Sequence, residues 1–342
     1  MYKTVLQLFL FLSLSSSLFS CNSSRKIVSN PNKTMTNKAL TRPQNLKEGD
    51  TVIIIAPAGT VKEKYVNKGV ALLESWGLQV KLSKNLYKKD FTYAGTDAER
   101  LEDLQNALDD PCAKAIWCAR GGYGAVRIID GVDWSDFEKK PKWVIGFSDI
   151  TVLHNALHNR GFESMHALMP ISLSTDRPVR RAKPIASLKD GLFGNTLNYE
   201  IKASKYNKNG TAQGQVVGGN LAIIYSLLQS NLSIDCTDKI IFLEEVGEYH
   251  YAVDRMLISL RRAGYFEKCK GLIIGGMSMK QDDPDFGKTV EEIVLDACKG
   301  YDFPIIFDFP AGHIVDNRMV ILGRKATISS DEKTATVLFI DE

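Results

Sequence analysis

Continuous apolar runs alternate with helical patterns through the first half of the chain. Val52–Pro57, Ala115–Ala119 and Trp143–Phe147 lack polar alternation, which is typical of strands buried on both faces. Apolar residues at helical spacing separate these runs, at Val66, Val70 and Leu73 and again at Leu101, Leu104 and Leu108. This alternation predicts a parallel α/β sheet, in which ligands bind beyond the carboxyl ends of the strands.

The second half of the chain has many short strands and few helices. A strand at Lys239–Leu243 ends in Glu244 and Glu245, and an amphipathic helix over Val253–Leu260 stops near Gly264. Further short strands are predicted at Gly271–Ile274, Pro304–Phe307, Val320–Leu322 and Ala335–Ile340. The whole pattern predicts an α/β protein, with a flavodoxin- or Rossmann-like N-terminal domain and a smaller, β-rich C-terminal domain.

The length of 342 residues is sufficient for two domains. We place the N-terminal α/β domain at residues 47–176 and the C-terminal β-rich domain at residues 209–342. Residues 177–208 are polar, and we predict that they form an irregular linker between the domains.

The first twenty residues have the pattern of an export signal. After Lys3, an apolar segment from Val5 to Phe19 is interrupted by serines and is too short for a permanent membrane span. The segment ends in Leu18–Cys21, which resembles a bacterial lipobox apart from Phe19. We predict a signal peptide at 1–20, a lipid anchor on Cys21, a flexible tether at 21–46 and a membrane-bound location facing the periplasm. The alternative is an ordinary signal peptide and an incidental cysteine.

Composition and charge argue against several classes of function. Hydrophobic residues make up 44% and charged residues 24% of the chain, and the net charge of +3 is dispersed, so no basic stripe indicates nucleic-acid binding. The sequence has no Walker or G-x-G-x-x-G motif, which gives little support to nucleotide binding. Its six cysteines contain no C-x-x-C pair, so we predict neither a disulfide framework nor a metal site, and no cofactor.

The run Trp143–Phe147 leads directly into Ser148 and Asp149, and a helical pattern begins without a linker. A serine on such a sharp strand-to-helix turn is exposed, and the N–H of Asp149 points towards an oxyanion that the serine would create. The motif is weaker than a complete G-x-S-x-G, because Ile150 replaces the second glycine. The alternative is that Ser148 and Asp149 only cap the next helix.

A serine nucleophile needs a base and an acid that orients the base. Among five histidines, His313 is the best candidate, because it follows Gly312 after an apolar strand. His154 and His158 lie one helical turn apart and indicate packing or a surface position, His166 stays undecided, and His250 indicates a structural or rim position. The candidate acids are Glu244, Glu245 and Glu248, and the residue pattern does not separate them.

Arg120–Gly124 is a glycine-rich segment at the end of another predicted strand. Glycines there permit close approach of the backbone to a ligand, so the N–H of Gly122 is a candidate second oxyanion donor. Arg120 is a candidate partner for a substrate carboxylate. The alternative is a tight turn, which explains the glycines and leaves Arg120 unexplained.

Several segments, taken in chain order, resemble motifs of the LD-carboxypeptidase family. These serine peptidases include the murein tetrapeptide carboxypeptidases and the microcin C immunity-type hydrolases. The segments are Ala119–Ala125, Gly146–Asp149, Gly218–Leu221, Leu243–Glu245 and Gly312–His313, together with Ala94–Leu104. The resemblance runs from about Gly49 to Ala326, and it is carried by the order of the motifs rather than by any single one.

The resemblance implies roles for three residues. Ser148 matches the nucleophile, Glu244 the acid that is first of two after a leucine, and His313 the histidine that follows a glycine. It also implies a homodimer and no metal. Typical members are cytoplasmic and release the terminal D-alanine from murein peptides, whereas the leader of this chain leaves the compartment and physiological substrate open.

We therefore predict a serine LD-carboxypeptidase that acts on murein tetrapeptides, with the N–H groups of Asp149 and Gly122 as oxyanion donors. One alternative is a microcin C immunity-type hydrolase of acyl or aminoacyl nucleotide conjugates. The other is a non-catalytic lipoprotein that binds murein peptides, which predicts that Ser148, Glu244 and His313 lie far apart.

Overall fold

Two β-sheets dominate the computed structural model, which describes residues 40–174 and 181–341. The predicted signal peptide, Cys21 and most of the predicted tether lie outside the described residues. Within those two ranges, no helix combines the length and the hydropathy needed to cross a membrane.

The first half alternates strands and helices, as its apolar pattern predicts. Its elements in chain order are β1 (Thr51–Ile55), α1 (Glu63–Glu74), β2 (Gln79–Leu82), α2 (Asp97–Asp109), β3 (Ala113–Cys118), α3 (Ala125–Ile128), α4 (Ser135–Lys139), β4 (Trp143–Gly146), α5 (Thr151–Asn159) and β5 (Ser164–His166). Some of the helix starts are encoded locally by capping side chains. At α2, for example, Thr96 and Glu99 form a capping box that satisfies the first backbone N–H groups.

The second half is richer in strands. Its elements in chain order are α6 (Ala182–Phe193), β6 (Asn198–Lys202), β7 (Gly210–Asn220), α7 (Leu221–Ser226), β8 (Lys239–Glu248), α8 (His250–Arg262), β9 (Gly271–Met279), α9 (Val290–Ala297), β10 (Ile305–Ile306), β11 (Val320–Leu322), β12 (Lys325–Ser330) and β13 (Thr334–Phe339). Each of the predicted short strands is present, and β8 and β9 extend beyond their predicted ends.

The first sheet has six strands in the order β11-β5-β4-β3-β1-β2. All neighbours are parallel except β11, which is antiparallel to β5. The second sheet has seven strands in the order β10-β9-β8-β7-β12-β13-β6, of which β7 to β10 are parallel. These sheets confirm the predicted α/β class with a parallel first sheet and a second sheet.

The described part of the segment predicted as an irregular linker, residues 177–208, contains α6 and β6, so the expected irregular conformation was wrong, while its role as a linker between domains stays a prediction. Leu188 and Leu192, four residues apart, lie on the buried face of α6. Pro184 lies in its first turn, where a helix tolerates proline, and Gly194 ends it in the left-handed conformation. Proline and glycine are typical of loops, so their presence at the two ends of α6 explains why the segment was expected to be irregular.

The strand Val320–Leu322 belongs to the first sheet, although its place in the sequence predicted the second domain. Val320 pairs with His166 and Leu322 with Ser164, so this strand covers the free edge of β5. Three apolar residues indicate a strand but carry no information about its partner, because pairing across sheets depends on distant segments.

Side chains from the two sheets pack together in one hydrophobic core. Trp117 and Ile145 of the first sheet belong to the same hydrophobic cluster as Phe242 and Ile328 of the second. This shared core fixes the carboxyl end of β4 relative to the middle of β8, and the candidate site depends on that relation.

Candidate active site

Ser148 lies on a sharp turn between β4 and α5, as the apolar run predicts. Its φ of +67° is in the left-handed region, which a residue with a side chain rarely adopts. Ile150 packs against Gly146, where a Cβ atom would lie 2.9 Å from Ile150 Cγ1. Glycine at 146 thus accommodates the bulky residue that replaces the second glycine of a G-x-S-x-G motif.

The side chains of Ser148 and Asp149 do not cap the helix that follows them, so the capping alternative was wrong. Neither Phe147 nor Ile150, the residues at the two helical starts, makes a side-chain cap. The Asp149 carboxylate instead accepts a hydrogen bond from the Ala125 N–H at 2.8 Å, at the start of α3. Burial raises the pKa of Asp149 to about 6, against the opposing effect of that hydrogen bond.

His313 bridges Ser148 and Glu244. Its Nε2 lies 3.0 Å from Ser148 Oγ, and its Nδ1 lies 2.7 Å from Glu244 Oε2. The backbone N–H of His313 also donates to Glu244 Oε2 at 3.1 Å. The Phe147 ring packs edge-on against the imidazole, with centroids 4.8 Å apart, and restricts its rotation. A hydroxyl, an imidazole and a carboxylate are therefore in line at the place where the two sheets meet.

The two adjacent acids lie within β8, which continues to Glu248 beyond its predicted end, and they point in different directions, as strand alternation requires. Glu244 faces His313, whereas Glu245 accepts hydrogen bonds from the N–H of Ala222 at 2.7 Å and from Asn220 Nδ2 at 3.2 Å. Glu245 therefore stabilises the start of α7. Of the candidate acids, Glu244 is the one that the structure places against the imidazole.

Glycines let the His313 loop approach Glu244. Gly312 has a φ of +104°, and a Cβ atom there would lie 2.6 Å from both Cβ and Oε2 of Glu244. On β9, Gly275 and Gly276 form a bulge opposite Glu244, and the Gly276 N–H donates to the Ala311 carbonyl at 2.8 Å. The bulge and Gly312 together remove the bulk that would separate the acid from the base.

Glu244 is fully buried, and burial by itself raises the pKa of a carboxyl. The imidazoles of His166 and His313 outweigh burial and hold the pKa of Glu244 well below its ordinary value. Glu244 is therefore an anion at neutral pH, and it favours a positive charge on the imidazole that it contacts.

The glycine-rich segment lies directly beside Ser148. A Cβ atom on Gly121 would lie 2.9 Å from Ser148 Cβ and 3.2 Å from the backbone nitrogen of Asp149. Gly122 adopts a φ of +103° and is exposed. Within the described part of the chain, no hydrogen-bond acceptor pairs with the N–H of Gly122 or Asp149. The Asp149 N–H is thus available next to Ser148, and the Gly122 N–H is available one residue beyond the glycine that contacts Ser148.

Arg120 is exposed beside this segment, and its Nη1 donates to the Thr60 carbonyl at 2.7 Å. Among the described residues, no hydrogen bond joins it to Ser148. Arg120 is therefore a surface residue that is not hydrogen-bonded to Ser148.

Sequence reasoning did not single out Arg100, whose buried side chain supports the glycine-rich segment through a hydrogen bond to the Gly124 carbonyl. This buried guanidinium donates to the carbonyls of Pro57 and Gly124, each at 2.8 Å, and pairs with Asp97. Burial lowers the pKa of Arg100, while Asp97 acts in the opposite direction. The sequence did contain a sign that Arg100 is buried, because Arg100 lies on the apolar face of α2, four residues before Leu104.

The remaining histidines have different surroundings. His154 is buried, with Nδ1 2.8 Å from Ser164 Oγ and Nε2 2.9 Å from the Gly146 carbonyl, so its role is packing with both ring nitrogens satisfied. Burial lowers the pKa of His154 and of His158 to about 3. His250 starts α8, and His166 is buried beside Glu244. The described residues contain no cluster able to hold a metal ion.

Comparison with known proteins identifies the family. The chain matches the LD-carboxypeptidase N-terminal domain over residues 52–167 and the LD-carboxypeptidase C-terminal domain over residues 213–328. A probable murein peptide carboxypeptidase of Bacillus subtilis is 35% identical over 306 residues, which cover 86% of this chain and 94% of that protein. The murein tetrapeptide carboxypeptidase of Pseudomonas aeruginosa is 28% identical, covering 82% and 93%.

Solved structures agree with this assignment. The muramoyltetrapeptide carboxypeptidase of Oxalobacter formigenes has a TM-score of 0.77 at 26% identity, over 85% of this chain and 99% of that chain. The microcin C7 self-immunity protein MccF in complex with aspartyl sulfamoyl adenosine has a TM-score of 0.77 at 20% identity, over 88% and 98%, and shows the fold alone. The chain therefore belongs to the LD-carboxypeptidase family and is a serine-type carboxypeptidase.

Proposed function

We propose that the protein releases the terminal D-alanine from murein tetrapeptides, with Ser148, His313 and Glu244 as a catalytic triad. The observation that carries the proposal is the position of the His313 imidazole, hydrogen-bonded to Ser148 on one side and to Glu244 on the other. The names of the relatives from Bacillus subtilis and Pseudomonas aeruginosa support murein peptides as the substrate class.

In the proposed reaction, His313 Nε2 takes the proton of Ser148 Oγ as the oxygen attacks the carbonyl before the D-residue. The C–O bond forms, and the N–H groups of Asp149 and Gly122 hold the negative charge on the carbonyl oxygen. His313 then protonates the leaving amine as the C–N bond breaks. Water hydrolyses the acyl-enzyme by the same proton transfers. Removal of one oxyanion donor costs about a hundredfold or more in rate.

Arg120 is the proposed partner of the substrate's terminal carboxylate. A guanidinium has five N–H donors, so its bond to the Thr60 carbonyl leaves donors for a carboxylate at the rim. A carboxypeptidase must recognise that carboxylate, and a charge-assisted pair provides the specificity.

The test is release of D-alanine from purified murein tetrapeptide, followed by mass spectrometry. The wild-type protein converts tetrapeptide to tripeptide, and Ser148→Ala loses nearly all of this activity, because triad members act as a unit. Ser135→Ala, at an exposed serine on α4, is the matched control. Tripeptide formation by Ser148→Ala at the wild-type rate would refute the proposal.

Two alternative functions can be distinguished from the proposed carboxypeptidase activity. Hydrolysis of aminoacyl nucleotide conjugates predicts faster turnover on a sulfamoyl adenosine conjugate than on tetrapeptide, and a parallel assay on both substrates decides. A non-catalytic binding protein predicts that Ser148, Glu244 and His313 lie far apart, and the distances of 2.7 and 3.0 Å contradict that prediction.

We also propose that the protein is exported and anchored to a membrane through acyl chains on Cys21, facing the periplasm. The support is the apolar leader and its lipobox-like end. Metabolic labelling with a radioactive fatty acid tests this: Cys21→Ser should lose the label and move to the soluble fraction. A protein that is processed at the same site and never labelled would instead be an ordinary secreted protein.

A homodimer is the third proposal, and its support is the family resemblance. Sedimentation of residues 40–342 at micromolar concentration should give twice the monomer mass of that fragment. A monomer mass across the concentration range would contradict it.

A further inference from the structure

His166 lies on the side of Glu244 opposite His313. Its Nε2 is 3.9 Å from Glu244 Oε1, and both side chains are completely buried. The distance is longer than a hydrogen bond. Within the described residues, both ring nitrogens of His166 and Oε1 of Glu244 are buried without a hydrogen-bond partner. Buried polar groups are almost always paired, so three unpaired atoms in one place require an explanation.

The surroundings of His166 leave Glu244 as its polar partner. His166 is paired on one side with Gly146 of β4 and on the other with Val320 of β11, so its backbone is fixed. Its ring packs edge-on against Phe242, with centroids 4.9 Å apart. His154, 6.4 Å away between ring centroids, already uses both ring nitrogens elsewhere.

We propose that His166 is a positioning residue of the active site, whose Nε2–H donates a hydrogen bond to Glu244 Oε1 when the site is assembled for reaction. A ring movement of about 1 Å closes the present gap to ordinary hydrogen-bond length. Glu244 is then held by one imidazole on each oxygen, so the plane of its carboxylate and its bond to His313 Nδ1 are fixed. This inference rests on the proposed triad and adds a fourth member to it.

The arrangement has a chemical consequence. When His313 takes the serine proton, the positive charge must stay on the imidazole, and the carboxylate must stay ionised. A donor on Oε1 makes Glu244 less basic and so keeps the shared proton on His313 Nδ1. Without that donor, the carboxylate has an unpaired buried oxygen and can rotate away from His313.

The experiment compares His166→Gln, whose amide keeps a donor near the position of Nε2, with His166→Leu, which fills similar space without a donor. Leu should lower kcat by about 10- to 100-fold with KM within about twofold, as expected for lost orientation. Gln should recover most of kcat. His158→Gln on α5, buried and outside the contacts of Glu244, is the control and should keep wild-type kcat.

A pH profile separates positioning from a structural role. The titratable groups that face His166 are Glu244 from β8 and His154 from α5, with His313 beyond the carboxylate. With a more basic Glu244, the acid limb of the kcat/KM profile should move to higher pH in His166→Leu and stay in place in His166→Gln. Equal kcat and equal profiles for Leu and Gln would overturn the proposal.

A second measurement uses the wild-type protein and depends neither on activity nor on the folding of a variant. Nitrogen-15 NMR of histidine-labelled wild-type protein should show a slowly exchanging Nε2–H on His166. Finding His166 as the Nδ1–H tautomer would overturn the proposal. If the wild-type protein releases no D-alanine, the proposed function fails, and the tautomer still decides the role of His166 towards Glu244.

Discussion

Single backbone conformations position the reacting atoms. Ser148 occupies the left-handed region at a cost of about 1–3 kcal/mol, which its surroundings must supply. Gly121 leaves space for the serine, and Gly312 leaves space for Glu244. The site therefore requires glycine at both positions, because a side chain at either one would collide with Ser148 or Glu244.

Replacement of Gly312 by alanine should separate Glu244 from His313, because the new Cβ would lie 2.6 Å from Glu244 Oε2. We expect kcat/KM to fall by about 100-fold, the effect of misplacing a catalytic group by about 1 Å. Gly300→Ala is the matched control, since Gly300 has a similar φ of +94° and a Cβ there meets nothing within 4 Å. If Gly312→Ala were as active as Gly300→Ala, the prediction would be wrong, because the contact with Glu244 would then have no effect on activity.

The sequence predicted some residues of the site better than others. Ser148 and His313 follow apolar strands at glycine-containing turns, so local pattern alone indicated them. The choice of Glu244 over Glu245 came only from the family resemblance, because alternation says that the two differ but not which one faces the base. The stripe of α2 predicts that Arg100 is buried, but it does not predict the contact of Arg100 with Gly124 or that of His166 with Glu244, because these partners lie about 25 and 80 positions away.

The helix α5 connects the candidate nucleophile to the second sheet. Thr151, at its first position, accepts a hydrogen bond from the Asn220 N–H at 3.1 Å, and Asn220 also contacts Glu245. The turn that carries Ser148 is therefore tied to the strand next to the one that carries Glu244.

Replacement of Thr151 by valine should remove this tie without changing the shape of the buried side chain. The Asn220 N–H is then left unpaired, at a cost of about 1–3 kcal/mol in the free energy of unfolding. Denaturant titration measures the loss. Thr211→Val, which breaks an exposed bond to Ser329, is the control and should cost less. A loss no larger at Thr151 than at Thr211 would contradict the role of the tie.

The same helix should make the protein sensitive to acid. His154 and His158 are buried on α5 with pKa values of about 3, below the ordinary value of 6.5. The unfolded chain binds more protons, so the stability is complete above pH 6.5 and is lost as the pH falls towards 3. Between pH 7 and pH 5, each histidine should cost about 2 kcal/mol.

Urea titration of the wild-type protein and of His158→Gln at both pH values tests this expectation. The variant should lose about 2 kcal/mol less than the wild type between pH 7 and pH 5. The difference between the two proteins cancels the contributions of other titrating groups, such as Asp149. Parallel losses in both proteins would show that His158 does not contribute to acid lability.

At the scale of the whole molecule, the fold class followed from alternating strands and helices, but the assignment of strands to sheets did not. β11 lies late in the sequence and yet pairs with β5 in the first sheet. The predicted boundaries at 47–176 and 209–342 stay predictions, and the shared core shows why sequence order cannot settle them. Side chains from both sheets pack in one cluster, so burial does not change at a single position.

The buried pair between Glu163 and Arg324 should be a main determinant of how the sheets are held together. Glu163 precedes β5, Arg324 precedes β12, and the charged atoms lie 2.6 Å apart. Glu163→Gln removes the buried partner of Arg324 and leaves its guanidinium with Asp341 alone, so we expect a loss of about 1–3 kcal/mol in unfolding free energy. Asp136→Asn, at the exposed pair with Lys139, is the control and should change stability by less than about 1 kcal/mol.

Because Ser148 and Glu244 are held by different sheets, a loosened contact between the sheets should also affect activity. As the urea concentration rises, kcat of Glu163→Gln should fall well before the protein unfolds. A variant with wild-type kcat and stability would show that the apolar core alone holds the sheets in register.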